Sequence, residues 1–244
     1  MNIAVILAGG VGKRMNPNGI PKQFLKINDV PIIIHTLLIF QECEEVDGVI
    51  ITCVKEYMEH LKNLIEQYKI TKVLEIVEGG ETNQLSSYNG VMAANKFVNK
   101  DEKNIIVMHD GVRPIIDSDL IKRNIETARK FGAAISCAQS KETTVIADGT
   151  NGEITNITER QNTYIARAPQ TFLLDELTAA HKKAHELGET NMIDACSVMN
   201  TFSNSCKMHI VKCSSDNIKI TTPDDFYVAE ALIKSKKAKQ VLGV

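Results

Sequence analysis

No apolar run in this chain approaches the roughly twenty residues that a bilayer-spanning helix needs. The N-terminal stretch Met1–Leu7 carries neither a charged leader region nor a small-residue cleavage site. Membrane-spanning and secreted readings are therefore set aside, and the expected location is the cytoplasm. A broad basic field is missing as well: 28 Lys and Arg stand against 30 Asp and Glu, for a formal charge of −2. Duplex nucleic acid and anionic membranes are not expected partners, and any anion has to be met locally. None of the cysteines (Cys43, Cys53, Cys137, Cys196, Cys206 and Cys213) forms a C-x-x-C pair, and their aliphatic neighbours suit reduced core thiols better than a disulfide or zinc framework. His181 and His185 share a helix face, but Lys182 stands where a zinc protease carries its Glu, so the pair reads as solvated helix surface. No repeat, low-complexity tract or Pro/Ser-rich linker divides the chain, and residues 1–244 are expected to form one domain.

What is present is an alternation. Aliphatic strands recur at about 2–7, 48–54, 73–77, 104–109 and 133–137, with helical stretches near 35–44, 56–69, 84–98 and 117–131 between them. This order predicts an α/β fold, a doubly wound and mostly parallel sheet with helices on both faces. Short Thr/Ile-rich segments from 139 to 167, around Gly149 and Gly152, predict an extended β-arm projecting from the sheet. Such an arm cannot bury both faces alone, so a homodimer formed through it is expected, the alternative being an arm folded back on its own domain. Helices near 174–187 and 191–202, a strand at 207–212 and a terminal helix from about 223 complete the reading.

The densest motif follows the first strand, in LAGGVGKRMNPNGIPKQFL at residues 7–25. Gly9, Gly10 and Gly12 carry no Cβ and let backbone N–H groups approach phosphate oxygens, while Lys13, Arg14 and Lys22 bring three cations to one polyanion. Two better-known loops do not fit. A P-loop needs Ser or Thr after its Lys and finds Arg14; the dinucleotide fingerprint meets Met15 where its third glycine belongs. The plainer alternative is a flexible turn with solvated basic residues.

Three further constellations close strands. In HDGVRP, Asp110 suits a hard cation such as Mg²⁺, which takes few protein oxygens and lets phosphate and water complete its shell. Arg113 would meet a phosphate of a second substrate, or else pair with Asp110; His109 reads as a structural hydrogen-bonding residue. The run from Gly79 to Ser87 opens a helix with donors and hydroxyls able to read a base or ribose, although Ser and Asn there also serve as caps. In DNIKITTP, Thr221 or Thr222 with Pro223 starts the last helix, which leaves Asp216 and Lys219 to supply a second metal carboxylate and a phosphate cation.

Taken in order, LAGGVGKRM with PKQFL, GGETNQLSS, HDGVRP, the Thr-bearing arm, ER with the PQTF glutamine ten residues later, and DNIKITTPDDF resemble the cytidylyltransferases of the 2-C-methyl-D-erythritol 4-phosphate and D-ribitol 5-phosphate class. The similarity runs end to end. It implies Mg²⁺-dependent transfer of CMP from CTP to a polyol phosphate, giving a CDP-polyol and pyrophosphate. It implies nucleotide-binding roles for Leu7, Ala8, Gly9, Gly10, Gly12, Gly79 and Ser86, and catalytic roles for Arg14, Lys22 and Lys219. It also implies metal ligation by Asp110 and Asp216. Arg113, Thr144 and Arg160 would address the polyol phosphate, the last two reaching across from a partner's arm. Asn83, Gly111-Val112 and Ala168 depart from the pattern of the methylerythritol enzymes, whereas Val112-Arg113-Pro114, the step from Met15 to Lys22 and PQTF resemble the ribitol branch. Ribitol 5-phosphate is the expected acceptor. The alternatives are methylerythritol 4-phosphate, a sugar-1-phosphate transferase using UTP or dTTP, and a nucleotide-binding protein without turnover.

Overall fold

The aliphatic run at the N-terminus forms β1, Asn2–Ala8. Successive side chains of a strand leave opposite faces, so Ile3 and Val5 enter one core while Ala4 and Ile6 enter another. A strand buried on both faces belongs inside a sheet, and a computed structural model, which describes residues 1–10, 19–203 and 206–242, puts it there. After β1 come a small ladder of β2 (Lys26–Ile27) with β3 (Val30–Pro31), then α1 (Ile32–Glu42), β4 (Gly48–Cys53), α2 (Met58–Gln67), β5 (Val73–Glu78), α3 (Asn83–Ala94), β6 (Ile105–Asp110), α4 (Ser118–Phe131) and β7 (Gly132–Gln139). The second half holds β8 (Val145–Ala147), β9 (Ile154–Ile157), β10 (Tyr164–Leu173), α5 (Leu174–Glu186), α6 (Ala195–Phe202), β11 (Lys207–Lys212) and α7 (Pro223–Leu242).

The main sheet has seven strands in the order β11-β7-β10-β6-β1-β4-β5. All neighbours pair in parallel except at β10, which runs antiparallel to both β6 and β7. The expected doubly wound, mostly parallel architecture is what forms. One face carries α1, α2 and α4, with Leu37, Leu61 and Ile121 in its core; the other carries α3, α5 and α6, with Val91, Leu177 and Val198. Burying each such side chain contributes about 1.5–3 kcal/mol. Close packing is sharpest at Gly90 of α3, where a Cβ would lie 2.4 Å from Val5 Cγ1 and 3.1 Å from Thr52 Cγ2, so this helix rests directly on β1 and β4.

Local rules account for the helix ends. Asp117 caps α4 by accepting from Leu120 N at 2.8 Å, and Gly132 ends it at φ 97°, a left-handed geometry that a side chain disfavours. Asp225 accepts from Thr221 N, Thr221 Oγ1 and Thr222 N, which fixes the first turn of α7 just after Thr222 and holds that carboxyl down at about 2. Pro223 takes the first helical position, as the sequence suggests.

Three differences from the sequence reading stand out. Tyr164–Ile165, read as the last segment of the arm, begins β10, a strand of the main sheet. Pro169 and Arg167 hide this strand, because proline and charge argue against a central strand; a register shift between Ala166 and Gln170 accommodates them. The helix expected over 191–202 starts only at Ala195, capped by Asp194. His181 and His185 are not a solvated pair: His181 is buried, with its Nε2 3.0 Å from Ser87 Oγ, and His185 stacks on Tyr88. The cysteines are free, and Cys43, Cys53 and Cys137 are buried. Among the described residues no helix is long and apolar enough to cross a membrane.

The projecting hairpin forms as β8 paired antiparallel to β9. Val145, Ile146, Ile154 and Ile157 on it are 45–63% exposed, an apolar surface that the chain itself leaves uncovered.

Candidate active site

The parallel strands β1, β4, β5 and β6 end at the same sheet edge, and their carboxyl ends open into a cleft of about 340 Å³. Leu7, Ala8, Gly9 and Gly10 form one wall, Gly80–Asn83 and Ser86 another, and Lys22, Asp110 and Lys219 project into it. A second cleft of about 270 Å³ adjoins it, sharing Leu7, Asn83, Asp110 and Lys219, and continues past Arg113 to Arg167, Gln170 and Asp194. The result is one groove in two halves that meet at Asp110 and Lys219.

The glycine turn is fixed by a residue that the motif reading quoted without giving it a role. Gln23 is 1% exposed and donates from Nε2 to the carbonyls of Ala8, at 2.7 Å, and Gly10, at 3.1 Å. These bonds hold the chain as it leaves β1. The turn touches the β5–α3 loop glycine to glycine: a Cβ on Gly79 would lie 2.9 Å from Gly9 Cα, and one on Gly9 would lie 2.8 Å from Ser86 Oγ. Gly79 therefore joins the two loops behind the cleft, and Gly80 forms the lining. Ser86 Oγ accepts from Gly80 N at 3.0 Å and faces the carbonyl of Thr82 at 3.0 Å, so it pins the same loop from within. Thr82 caps α3 and donates to the carbonyl of Thr190, while Gln84 ties that helix to Glu189 and Met192.

On the opposite wall the Asp110–Arg113 turn and the Asn217–Ile220 segment are stitched together. Ile220 N donates to the Val112 carbonyl at 3.0 Å, and Arg113 Nη1 donates to the Asn217 carbonyl at 2.9 Å. Lys22 Nζ donates to the Ile220 carbonyl at 2.9 Å, which links the N-terminal loop to the C-terminal segment across 198 residues of chain. Asp110 is bracketed by two cations, Lys219 Nζ 2.7 Å from Oδ1 and Arg113 Nε 2.8 Å from Oδ2. Burial alone would raise its pKa; the charges and hydrogen bonds of Lys219 and Arg113 prevail and hold the carboxyl well below its ordinary value, so it is anionic. The Asp110–Arg113 ion pair, weighed in the sequence as the alternative to phosphate contact, is formed, and Arg113 still lines the second cleft.

His109 is fully buried and donates from Nε2 to the Arg113 carbonyl at 3.1 Å; burial brings its pKa down to about 4. It is a neutral strut beneath the turn. His181, below the second cleft, is also lowered to about 4 by burial. The unfolded chain protonates this ring below pH 6.5, whereas the folded chain refuses the proton until about pH 4. The stability carried by the neutral ring is therefore complete above pH 6.5 and declines on acidification. Denaturant unfolding at pH 7 and pH 4.5 should give a loss of roughly 2–3 kcal/mol from this ring, much of it absent in His181→Gln. An identical pH dependence in the two proteins would contradict the assignment.

Of the remaining sequence candidates, Thr144 and Arg160 are exposed on the arm. Arg160 donates to Thr143 Oγ1 at 3.1 Å, Thr144 Oγ1 is 3.3 Å from Ser140 Oγ, and neither residue lines the two clefts of its own chain. Asp216 is exposed in the segment that carries Lys219 and lines neither cleft. Gly12 and Arg14 lie outside the described residues.

The sequence model described as "IspD: 2-C-methyl-D-erythritol 4-phosphate cytidylyltransferase" matches residues 2–235. The chain belongs to the IspD family of cytidylyltransferases. Across their whole lengths it is 40% identical to the ribitol-5-phosphate cytidylyltransferase of Streptococcus agalactiae serotype V. It is 34% identical to the 2-C-methyl-D-erythritol 4-phosphate cytidylyltransferase of Lachnospira eligens, over 96% of this chain and all of that one. The crystal structure of 4-diphosphocytidyl-2C-methyl-D-erythritol synthase from Anaerococcus prevotii superposes with a TM-score of 0.81 at 26% identity, covering 96% of each chain. The fold is thus the IspD nucleotidyltransferase fold, and the two-part groove at its sheet edge is the candidate active site of a cytidylyltransferase.

Sequence reasoning missed the residues that shape the second half. Gln170 donates to Asp194 Oδ2 at 2.9 Å and accepts from Cys196 N at 2.9 Å, locking the start of α6 against β10. The signal was the glutamine of PQTF, visible in the sequence but without a place until β10 exists.

Proposed function

We propose that this IspD-family chain transfers CMP from CTP to D-ribitol 5-phosphate, giving CDP-ribitol and pyrophosphate. CTP would lie in the first half of the groove, its triphosphate along Gly9 and Gly10 and its base toward the loop that Gly79 and Ser86 hold; Gly12 and Arg14 are proposed to serve the triphosphate as well. The acceptor would occupy the second half. The observation that carries this reading is the meeting of Lys22, Asp110 and Lys219 in one cleft, although they come from the beginning, middle and end of the chain. The preference for ribitol rests on 40% identity over the full length to a ribitol-5-phosphate enzyme, against 34% to a methylerythritol enzyme.

The acceptor phosphate is already an anionic nucleophile. One of its oxygens forms a bond to the α-phosphorus of CTP while the bond from that phosphorus to the bridging oxygen breaks, and the electron pair leaves with pyrophosphate. No proton has to move, which agrees with a site whose buried histidines are neutral. The demand is alignment and neutralisation of growing charge, work suited to Lys22 beside the leaving group and Lys219 beside the α-phosphate. Asp110, ionised and facing the groove, fits a hard ligand for Mg²⁺. Mg²⁺ takes few protein oxygens, and phosphate oxygens and water would complete its shell. Mg²⁺, when bound, would supply neutralisation of the triphosphate; Asp216 is the second proposed ligand. The bare apolar arm supports a homodimer in which Thr144 and Arg160 reach the partner's acceptor phosphate.

Pyrophosphate release with CTP and a panel of polyol phosphates tests the reading. The expected result is kcat/KM for D-ribitol 5-phosphate on the order of tenfold or more above that for 2-C-methyl-D-erythritol 4-phosphate, with UTP and dTTP poor donors. A reversed acceptor order would refute the ribitol assignment.

A further inference from the structure

Arg167 sits on β10 where the register shifts, and its side chain lines the second half of the groove. Its Nε–H is buried and has no hydrogen-bond partner among the described residues, which is costly for a charged donor. Its electrostatic surroundings are unfavourable as well: burial and the nearby charge of Arg113 both disfavour its cationic form. The acids of this cleft do not relieve it. Asp110 is engaged by Arg113 and Lys219, and Asp194 by Gln170, Ser197 and Cys196. A guanidinium whose Nε finds no acceptor among the described residues and whose neighbouring carboxylates are engaged elsewhere, beside a second guanidinium and an open cleft, is complemented by an oxyanion able to take a fork of N–H donors.

Resting on the functional reading above, we propose that Arg167 binds the phosphate monoester of the acceptor, jointly with Arg113, and holds it at the Lys219 end of the second cleft. Arg113 spends Nε on Asp110 and Nη1 on the Asn217 carbonyl, so its own fork is largely committed to the protein. Arg167 supplies what Arg113 lacks. A hydroxyl of the polyol chain would satisfy one N–H but leave the like charges of the two arginines uncompensated, so the observations favour the phosphate over the polyol. The departure at Ala168 lies next to this arginine, and the small side chain there is buried.

Steady-state kinetics with CTP and D-ribitol 5-phosphate separates the possibilities. Arg167→Gln is expected to raise KM for the acceptor on the order of 10- to 100-fold while KM for CTP stays within about twofold. Inhibition by inorganic phosphate, competitive with the acceptor, should weaken in parallel, and inhibition by uncharged ribitol should not change. Arg167→Lys, which keeps the charge without the fork, should fall between; it carries the test if the Gln variant folds poorly. An unchanged acceptor KM in these variants overturns the proposal. So does an increase accompanied by weaker ribitol inhibition, which would assign Arg167 to a hydroxyl. Wild-type enzyme that uses no polyol phosphate in the panel would overturn the functional reading first and this inference with it, a result visible before any variant is made.

Discussion

Asp110→Asn is expected to lower kcat/KM by two orders of magnitude or more and to destabilise the fold by about 3 kcal/mol. Asp110 and Arg113 have side chains only 13% and 10% exposed, and the carboxylate faces Lys219 on its other oxygen. Removing one member of a buried ion pair strands the other, with a typical cost of 3–5 kcal/mol; asparagine retains a hydrogen-bond acceptor, which favours the lower end. The pKa argument carries the same sign. Asp110 is held below its ordinary value, so its contribution is complete at neutral pH, begins to fall once acid protonates the carboxyl of the unfolded chain, and is gone when the folded carboxylate is protonated as well. Activity should fall for a separate reason, because the anionic oxygen proposed for Mg²⁺ is gone. Denaturant unfolding reads the first effect and a Mg²⁺ titration of turnover the second. A variant with wild-type stability and unchanged Mg²⁺ dependence would remove Asp110 from both roles.

The two effects meet at one residue because of how the site is assembled, and this explains which parts of it were legible in the sequence. Elements whose burial is written in local pattern could be read directly. The aliphatic runs of β1, β4 and β6 announce themselves, and the glycine-rich and Asp-bearing turns that follow fall at the carboxyl edge by the geometry of parallel sheets. That much placed Lys22, Asp110 and Lys219 together. β10 was not legible, since Arg167 and Pro169 break the strand signal and only tertiary pairing with β6 and β7 reveals it. The second half of the groove was lost with that strand, including Arg167, Gln170 and the Asp194 cap. Gln23 illustrates a subtler loss: its residue type was plain, but its two bonds to Ala8 and Gly10 depend on a return of the chain that no spacing rule encodes. The burial of His181 likewise follows from α3 packing on α5, which helical periodicity alone does not specify.

Lys22→Met should reduce kcat by about 10²- to 10³-fold with KM for CTP changed only a few-fold. The ammonium donates to the Ile220 carbonyl at 2.9 Å and lines the same cleft as Gly10 and Lys219, so it is positioned by the protein before substrate arrives. A preorganised cation meets charge that grows during reaction without having to be reoriented, and loss of one such donor typically costs 2.7–4 kcal/mol in the transition state. Ground-state CTP already carries most of its charge and, in the proposed pose, would be held by several groups, which is why the effect should concentrate in kcat. Methionine preserves much of the aliphatic stem, separating loss of charge from loss of packing. The Ile220 bond gives a built-in control. If Lys22 served only to tie the two ends of the chain together, Lys22→Met would lower the unfolding midpoint and the chemical step would survive in the folded fraction. If it neutralises the leaving pyrophosphate, single-turnover rates at saturating CTP should fall even where folding is intact, and a rate unchanged from wild type would reject that role.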